Sequence, residues 1–347
     1  MARDIVISID AMGGDSGPAA IVGGMVISAS KNDEIRYIVH GDEAELRPLI
    51  EKQQALDGIV EIRHCDDVIS MTEKPSRAMR SGKDSSMWGT LQTVEKGDAT
   101  VAVSCGNTGA LMAISMLRLR RAPGVDRPAI AVLWPSRGKT GHTVVLDVGA
   151  DIRAEARDLV QYAIMGTEYA RLDLNLDQPR VGLLNVGTEE HKGRAALHEA
   201  ATLLESLAAE PDSGMRFVGF AEGSDIGTGE VDVIVTDGFT GNVALKTAEG
   251  TATLIHSFLR EAMGHSVFSR IGALFALTSL RRLQKRLDPR RRNGGVFLGL
   301  NGAVVKSHGG ADATGVSAAI KLAFRLAQNG FTQKVAERVA KAAEPNE

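Results

Sequence analysis

Short runs of apolar, β-branched residues alternate along the chain with longer segments of helical periodicity. Alternation of this kind is typical of βαβ units, so we predict an α/β fold with a mostly parallel sheet. The predicted strands lie near 4–10, 35–40, 59–63, 99–104, 129–134, 143–148, 180–186, 215–220, 231–236 and 296–305, and the predicted helices near 17–30, 86–96, 108–120, 154–171, 194–209, 241–263 and 314–328.

The chain has no internal repeat, low-complexity tract or proline- and serine-rich linker that would mark a domain boundary. Its length would suit about two domains of average size, but an α/β chain of this length also forms one unit. We therefore predict a single large α/β unit over residues 1–347.

Segment 251–292 differs from the rest of the chain in charge and pattern. From Leu254 to Arg292 there are nine Lys or Arg and two Asp or Glu, which gives +7 locally against −3 for the whole protein. One apolar stripe ends at Gly264, and a second changes face, so we expect a break near Thr278 and Ser279. The segment is predicted to form a basic amphipathic helical projection, a combination suited to an anionic membrane surface.

Composition excludes several classes of protein. Aromatic residues make up only 4% of the chain and the net charge is −3, which disfavours nucleic-acid binding. The two cysteines, Cys65 and Cys105, indicate neither a disulfide framework nor a zinc site. No signal peptide and no apolar run of membrane-spanning length is present, so we predict a cytoplasmic protein.

The residues that follow the predicted strands are rich in glycine and small polar side chains. Ligands of open parallel sheets bind at the carboxyl ends of the strands. Each such exit alone is explained by ordinary turn formation, but six together favour a rim of backbone N–H groups suited to a small anion or phosphate. The exits are 10–15, 104–109, 147–149, 185–190, 237–242 and 306–310.

Familiar catalytic motifs are absent from the sequence, including GxGxxG, GxSxG and a complete P-loop. Cys105 has no neighbouring base in the sequence, which fits tight packing as well as it fits a nucleophile. Lys192 lies at the start of a predicted helix, where a cation opposes the helix dipole and so suggests an anionic partner. Lys306 and His308 alternate at a strand exit and therefore point to one side.

These exits resemble, in order and across nearly the whole chain, the phosphate acyltransferase family PlsX. That family makes acyl phosphate from acyl-(acyl carrier protein) and inorganic phosphate for phospholipid synthesis. Gly82 and Ala311 depart from the family pattern, where a basic residue and a serine are usual. The matching blocks are IDAMGGD (9–15), KDSSM (83–87), SCGNTGALM (104–112), DRPAI (126–130), LDVGA (146–150), LVQYAIMG (159–166), RVGLLNVGTEEHKG (180–193), VTDGFTGNVALKTAEG (235–250) and VKSHGGAD (305–312).

The resemblance implies a three-layer α/β/α sandwich, similar to the phosphotransacetylase and isopropylmalate dehydrogenase folds, in a homodimer. It implies acyl carrier protein and inorganic phosphate as partners and no cofactor or metal. Together with the basic projection, this activity leads us to expect peripheral membrane association and a downstream glycerol-phosphate acyltransferase that uses the acyl phosphate. Phosphate is already a nucleophile and a thioester already electrophilic, so we expect direct attack without a covalent acyl-enzyme.

By matching motif positions, the resemblance assigns catalytic roles to Lys192, Asn242 and His308. Lys192 would neutralise or orient phosphate, and Asn242 would hold the carbonyl oxygen or phosphate. The predicted substrate-binding residues are Asp10, Gly13, Gly14, Asn107, Thr108, Asn185, Gly187, Thr188, Asp237, Gly238 and Lys306.

Two other functions stay open at this point. One is an oxidoreductase of dehydrogenase-like fold, which the missing dinucleotide motif disfavours, and the other is a non-catalytic membrane adaptor that uses the basic projection. The projection itself has two alternatives to membrane contact. It packs against a helix of a partner subunit, or it docks acidic carrier protein through Arg281, Arg282, Lys285 and Arg286.

Overall fold

A computed structural model describes residues 4–189, 191–266, 268–269, 275–276, 278–279 and 294–343. Within them lies one eleven-stranded sheet. The strands are β1 (Ile5–Asp10), β2 (Ile35–Gly41), β3 (Val60–His64), β4 (Val101–Ser104), β5 (Ala129–Pro135), β6 (His142–Leu146), β7 (Arg180–Leu184), β8 (Arg216–Ala221), β9 (Val233–Val235), β10 (Gly295–Leu298) and β11 (Ala303–Lys306).

Helices cover both faces of the sheet. Alternate residues of a strand point to opposite faces. Val101 and Val103 therefore join one buried cluster with the helices Gly17–Ala29, Ala156–Leu174 and Ala313–Gln328, whereas Ala102 joins another with the helices Ser86–Glu95 and Thr108–Arg118. The predicted α/β sandwich is therefore confirmed. The helices are α1 (Gly17–Ala29), α2 (Glu43–Glu51), α3 (Pro75–Ser81), α4 (Ser86–Glu95), α5 (Thr108–Arg118), α6 (Ala156–Leu174), α7 (Ala195–Ala208), α8 (Gly238–Gly264), α9 (Ala313–Gln328) and α10 (Phe331–Ala343).

The sheet is mostly parallel, but its two ends run in opposite directions. The strand order is β3-β2-β1-β4-β11-β10-β5-β6-β9-β7-β8. The first five strands in this order, β3, β2, β1, β4 and β11, are mutually parallel, and so are the last four, β6, β9, β7 and β8. Between these groups β10 and β5 form three antiparallel pairings. Consequently the carboxyl ends of the two groups lie at opposite edges of the sheet.

The predicted strand at 296–305 is wrong, because two antiparallel strands, β10 and β11, occupy this region. The chain turns between them at Gly299, whose φ of +81° is readily adopted by glycine. Leu298, Leu300 and Ala303 are all buried around the turn. Gly299, Asn301 and Gly302 interrupt the apolar run here, and Asn-Gly is a dipeptide typical of a β-hairpin, which the prediction of one strand overlooked.

Other boundaries differ from the prediction in smaller ways. The helices α2, α3 and α10 fall outside the predicted ones. The helix predicted at 241–263 begins earlier, at Gly238, because the side chain of Asp237 caps it by accepting a hydrogen bond from the backbone N–H of Thr240.

The second half of α8 projects from the body of the protein. From Thr251 to Ala262 every residue is exposed, and its apolar stripe includes Leu254 and Phe258, which are 51% and 59% exposed. Thr278 and Ser279 are helical, but their neighbours 277 and 280–293 lie outside the described residues, so the break expected near them stays a prediction. The basic cluster from 281 to 292 lies outside the described residues. No helix in the described part of the chain is both long and apolar enough to cross a bilayer.

Candidate active site

Three neighbouring strands, β6, β9 and β7, end side by side at one edge of the sheet. Val235 of β9 pairs with Leu146 of β6 on one side and with Leu183 of β7 on the other. The residues that follow these strands are Asp147, Asp237 and Asn185. Three of the six glycine-rich exits thus come together here, about one strand spacing apart.

The carboxylate of Asp147 organises the first of these exits. It is fully buried and accepts hydrogen bonds of 2.6–3.1 Å from the backbone N–H groups of Ile130, Gly149, Ala150 and Asp151. Burial raises the pKa of Asp147, while these hydrogen bonds act in the opposite direction. The carboxylate therefore folds the 147–151 loop around itself, and this loop becomes a rigid support for the next element.

Helix α8 begins against that loop. The N–H of Gly238 donates to the carbonyl oxygen of Asp151 at 2.8 Å, and a Cβ at Gly241 would overlap the carbonyl oxygen of Asp147. Close approach of the backbones explains why glycine occupies position 241. The contact fixes the first turn of α8, so Asn242 is held at a set position, and a Cβ at Gly149 would lie 3.8 Å from its side chain.

Asp237 links the exit of β9 to the exit of β7. Its buried carboxylate accepts hydrogen bonds from the backbone N–H and hydroxyl of Thr240, both at 2.9 Å, and forms an ion pair with the largely exposed Arg194. Burial alone would raise the pKa of Asp237, but these hydrogen bonds and Arg194 outweigh it and hold the pKa below its ordinary value. The pair therefore ties the chain after Lys192 to the start of α8.

Lys192 lies over the exit of β7. The amide of Asn185 donates to the carbonyl oxygen of Lys192 at 2.9 Å, and the ammonium group pairs with Glu189 at 2.7 Å. The hydrogen bond that Lys192 donates to Glu189 raises the pKa of Lys192 above its usual value. A Cβ at Gly187 would overlap the aliphatic stem of this lysine. The side chain of Lys192 remains 40% exposed and is therefore accessible to an anion.

These contacts connect the loop that carries Lys192 and Arg194 to the start of α8, which carries Asn242. The aligned peptide dipoles of α8 place a partial positive charge at its first turn, where the N–H groups of Gly238 and Thr240 are already bonded to Asp151 and Asp237. Arg194 adds a cationic side chain there through its ion pair with Asp237. Arg194 was missed from the sequence because it lies just after the matched block that ends at Gly193. Thr188 is exposed in the same loop.

The exits of β1, β4 and β11 form a second cluster at the opposite edge. Asp10, which is 1% exposed, accepts hydrogen bonds of 2.6 Å from the hydroxyls of Ser86 and Ser104. Burial raises the pKa of Asp10, against the effect of these serines. A Cβ at Gly13 would lie 2.5 Å from the Asp10 carboxylate, and one at Gly14 would lie 2.7 Å from the carbonyl oxygen of Gly309.

Asn107 is also engaged in internal contacts. It caps α5 by accepting from the N–H of Ala110 at 3.0 Å, and its amide donates to the carbonyl oxygens of Met71 and Glu73 at 2.9 Å. Asp10, Gly13, Gly14 and Asn107 thus hold the turns at this edge, whereas Thr108, the first residue of α5, is exposed.

Lys306 and His308 complete the second cluster. Lys306 is 8% exposed, and its ammonium donates to the carbonyl oxygens of Cys105 and Ser307. Burial lowers the pKa of Lys306 to about 8. His308 is more open, and its Nε2 lies 4.0 Å from Oε2 of Glu249 on α8.

Helix α8 connects the two clusters. Asn242, Lys246 and Glu249 lie on one side of the helix at i, i+4 and i+7, and Lys246 pairs with Glu249 at 2.8 Å. From Asn242 to Glu249 the helix rises about 10 Å. The six exits therefore do not form the single rim that the sequence predicts, because the sheet reverses direction. They form two clusters joined by this helix.

A model of the family described as fatty acid synthesis protein matches residues 5–334. A phosphate acyltransferase from Dinoroseobacter shibae is 65% identical over 337 residues, which cover 97% of this chain and 87% of that relative. A second, from Ruegeria sp., is 63% identical and covers 99% of this chain and 91% of its own length. The chain belongs to the phosphate acyltransferase family. This confirms the resemblance and the enzyme class predicted from the motif blocks.

Two solved structures of other proteins share the fold of this chain. A phosphotransacetylase from Streptococcus pyogenes superimposes with a TM-score of 0.62 at 16% identity, covering 94% of this chain and 95% of its own. A 4-hydroxythreonine-4-phosphate dehydrogenase from Salmonella typhimurium gives 0.51 at 15% identity, with 93% of this chain and 99% of its own covered. At such low identities the likeness shows only the fold, which agrees with the predicted one. The function class follows instead from the family membership, which disfavours the oxidoreductase alternative.

Proposed function

We propose that the protein transfers a fatty acyl group from acyl-(acyl carrier protein) to inorganic phosphate, giving acyl phosphate for phospholipid synthesis. The observation that supports this proposal is the meeting of three glycine-rich strand exits, whose loops and following helix carry Lys192, Arg194 paired with Asp237, and Asn242, in a chain of the phosphate acyltransferase family. Phosphate would enter this cationic site and the thioester carbonyl would lie against Asn242.

The reaction needs alignment more than activation. A phosphate oxygen attacks the thioester carbon, its new C–O bond forms, and the C–S bond then breaks to release the carrier thiolate. Lys192 leaves Glu189 to neutralise phosphate, while the amide N–H of Asn242 donates to the developing oxyanion. His308 and Lys306, at the other end of the shared helix face, are proposed to bind the donor at a distance from the reacting carbonyl.

The experiment that tests this function uses purified protein with palmitoyl-(acyl carrier protein), with and without phosphate. Acyl phosphate is trapped by hydroxylamine as the hydroxamate. Hydroxamate that forms only when phosphate and enzyme are both present is the expected result. Its absence with every acyl thioester offered would contradict the proposal and favour the non-catalytic adaptor.

Transfer is proposed to be direct, so Cys105→Ala should remain active. Cys105 is buried, and this burial raises the pKa of its thiol to about 11, which leaves little thiolate for nucleophilic attack. The measurement is steady-state turnover together with a rapid-mixing experiment without phosphate. A burst of free carrier protein equal to the enzyme concentration, lost in Cys105→Ala, would instead reveal an acyl-enzyme.

The protein is further proposed to be cytoplasmic, to form a homodimer, and to associate with anionic membrane at its surface through 251–292. The acyl phosphate product would then pass to a glycerol-phosphate acyltransferase without crossing water. The exposed stripe of Leu254, Ile255, Phe258 and Leu259 supports this placement, because large apolar side chains on a projecting helix insert into a lipid interface.

Leu254→Asp/Phe258→Asp is therefore expected to remove sedimentation with anionic vesicles while turnover on carrier-bound substrate continues. Charged side chains on this stripe oppose insertion. Leu117→Asp, at an exposed leucine of α5, serves as the control and should still sediment. Dissociation of a dimer in the double variant would assign the stripe to subunit packing. A raised KM for carrier protein in Arg281→Glu/Arg282→Glu, with vesicle binding unchanged, would assign the basic cluster to carrier docking.

A further inference from the structure

An apolar patch is formed by four exposed side chains in the first turns of α8 and in the loops that follow β6 and β7. It consists of Ile152, Val186, Phe239 and Val243, which are 62%, 80%, 64% and 50% exposed. Single exposed apolar residues are common, but a group of large ones beside a polar site marks a binding surface. None of the roles assigned to Lys192, Arg194 or Asn242 accounts for it.

The fold brings the patch together from three adjacent strand exits. Strand β9 lies between β6 and β7, and Phe239 follows it, whereas Ile152 comes from the loop after β6 and Val186 from the loop after β7. The hydrogen bond from Gly238 N–H to the Asp151 carbonyl, at 2.8 Å, joins the neighbours of Phe239 and Ile152 directly. Parallel strands lie about 4.8 Å apart, so the three side chains border a common area.

The patch is continuous with the residue proposed to hold the carbonyl. Phe239 and Val243 are one turn apart on α8, and Asn242 lies between them on the same exposed side at i+3 from Phe239. A bound molecule whose polar end lies at Asn242 and Lys192 would therefore have these apolar side chains beside the part of the molecule that follows its polar end. Such an occupant is amphiphilic, with its reacting group at the polar end.

We infer that Ile152, Val186, Phe239 and Val243 form the subsite for the first part of the fatty acyl chain of the donor. This inference rests on the proposed function and adds the surface that selects long chains over short ones. The acyl chain is the apolar group attached to the reacting carbonyl, so binding the carbonyl at Asn242 brings the chain onto the patch. Burying its methylene groups there strengthens binding in proportion to the apolar area covered.

The test compares palmitoyl- and butyryl-(acyl carrier protein) in Phe239→Ala and in Ile152→Ala/Val186→Ala. With palmitoyl donor, kcat/KM is expected to fall about 10- to 100-fold, the effect of losing a large apolar contact. With butyryl donor, which reaches little of the patch, it should change by no more than about 2-fold. Leu203→Ala, at an exposed leucine of α7, is the matched control and should alter neither value.

Equal losses with both donors, or no loss with palmitoyl donor, would overturn the subsite. A change in sedimentation velocity of the variants, with a matching loss on both donors, would show that a second copy of the chain covers the patch. Binding of the two donors is also measured without phosphate, which requires no turnover. If the wild-type protein forms no acyl phosphate, the proposed function fails, and a preference for palmitoyl donor lost in Phe239→Ala still supports the subsite.

Discussion

Asn242→Ala is expected to lower kcat about 100- to 1,000-fold, the usual loss when one oxyanion donor is removed. In the proposed reaction the amide of Asn242 donates to the reacting carbonyl, and the first turn of α8 that carries it is held against the 147–151 loop through Gly238 and Gly241. A donor held in this way is already aligned before charge develops, so its effect appears in kcat more than in KM. The measurement is hydroxamate formation under saturating donor and phosphate.

Two further variants make the Asn242 result specific. Asn242→Asp keeps the shape of the side chain but replaces the donor by a carboxylate that repels an oxyanion, so it should be at least as inactive as Asn242→Ala. Thr247→Ala changes an exposed residue on another side of the same helix and should stay within about 2-fold of wild type. Near-normal kcat in Asn242→Ala would remove this residue from the reaction.

Lys192→Ala should lower kcat/KM for phosphate about 10- to 100-fold, as expected for loss of a charge-assisted contact. The ammonium group is partly exposed and paired only at the surface with Glu189, so the folded state does not depend on it. Most of the loss should appear as a raised KM for phosphate, with little change in the KM for the acyl donor.

Lys192→Arg keeps the charge and should restore part of the activity, although its planar group reaches phosphate differently. Lys321→Ala, at an exposed lysine of α9, controls for the general loss of one positive charge. Glu189→Gln frees Lys192 from its partner and should not weaken phosphate binding. An unchanged KM for phosphate in Lys192→Ala would exclude contact between this lysine and the anion.

The local features of the fold were predictable because they depend on neighbouring residues in the chain. Apolar runs and helical periodicity located most strands and helices, and Asp237 before Gly238 carries the side chain of an ordinary helix cap. The motif block at 235–250 already contained Asn242 together with Lys246 and Glu249 at spacings that share one helix face. Their common orientation was therefore present in the sequence.

The α/β class, the family and the small polar residues at each strand exit can be read from composition, order and spacing along the chain. Which exits meet depends instead on the order and direction of the strands in the folded sheet. The antiparallel pairing of β10 with β5 at the centre of the sheet joins segments far apart in the chain, so no local pattern reveals it. The pair between Arg194 and Asp237 likewise joins residues 43 positions apart. Such contacts arise from strand order and direction, which long-range packing sets and sequence periodicity does not encode.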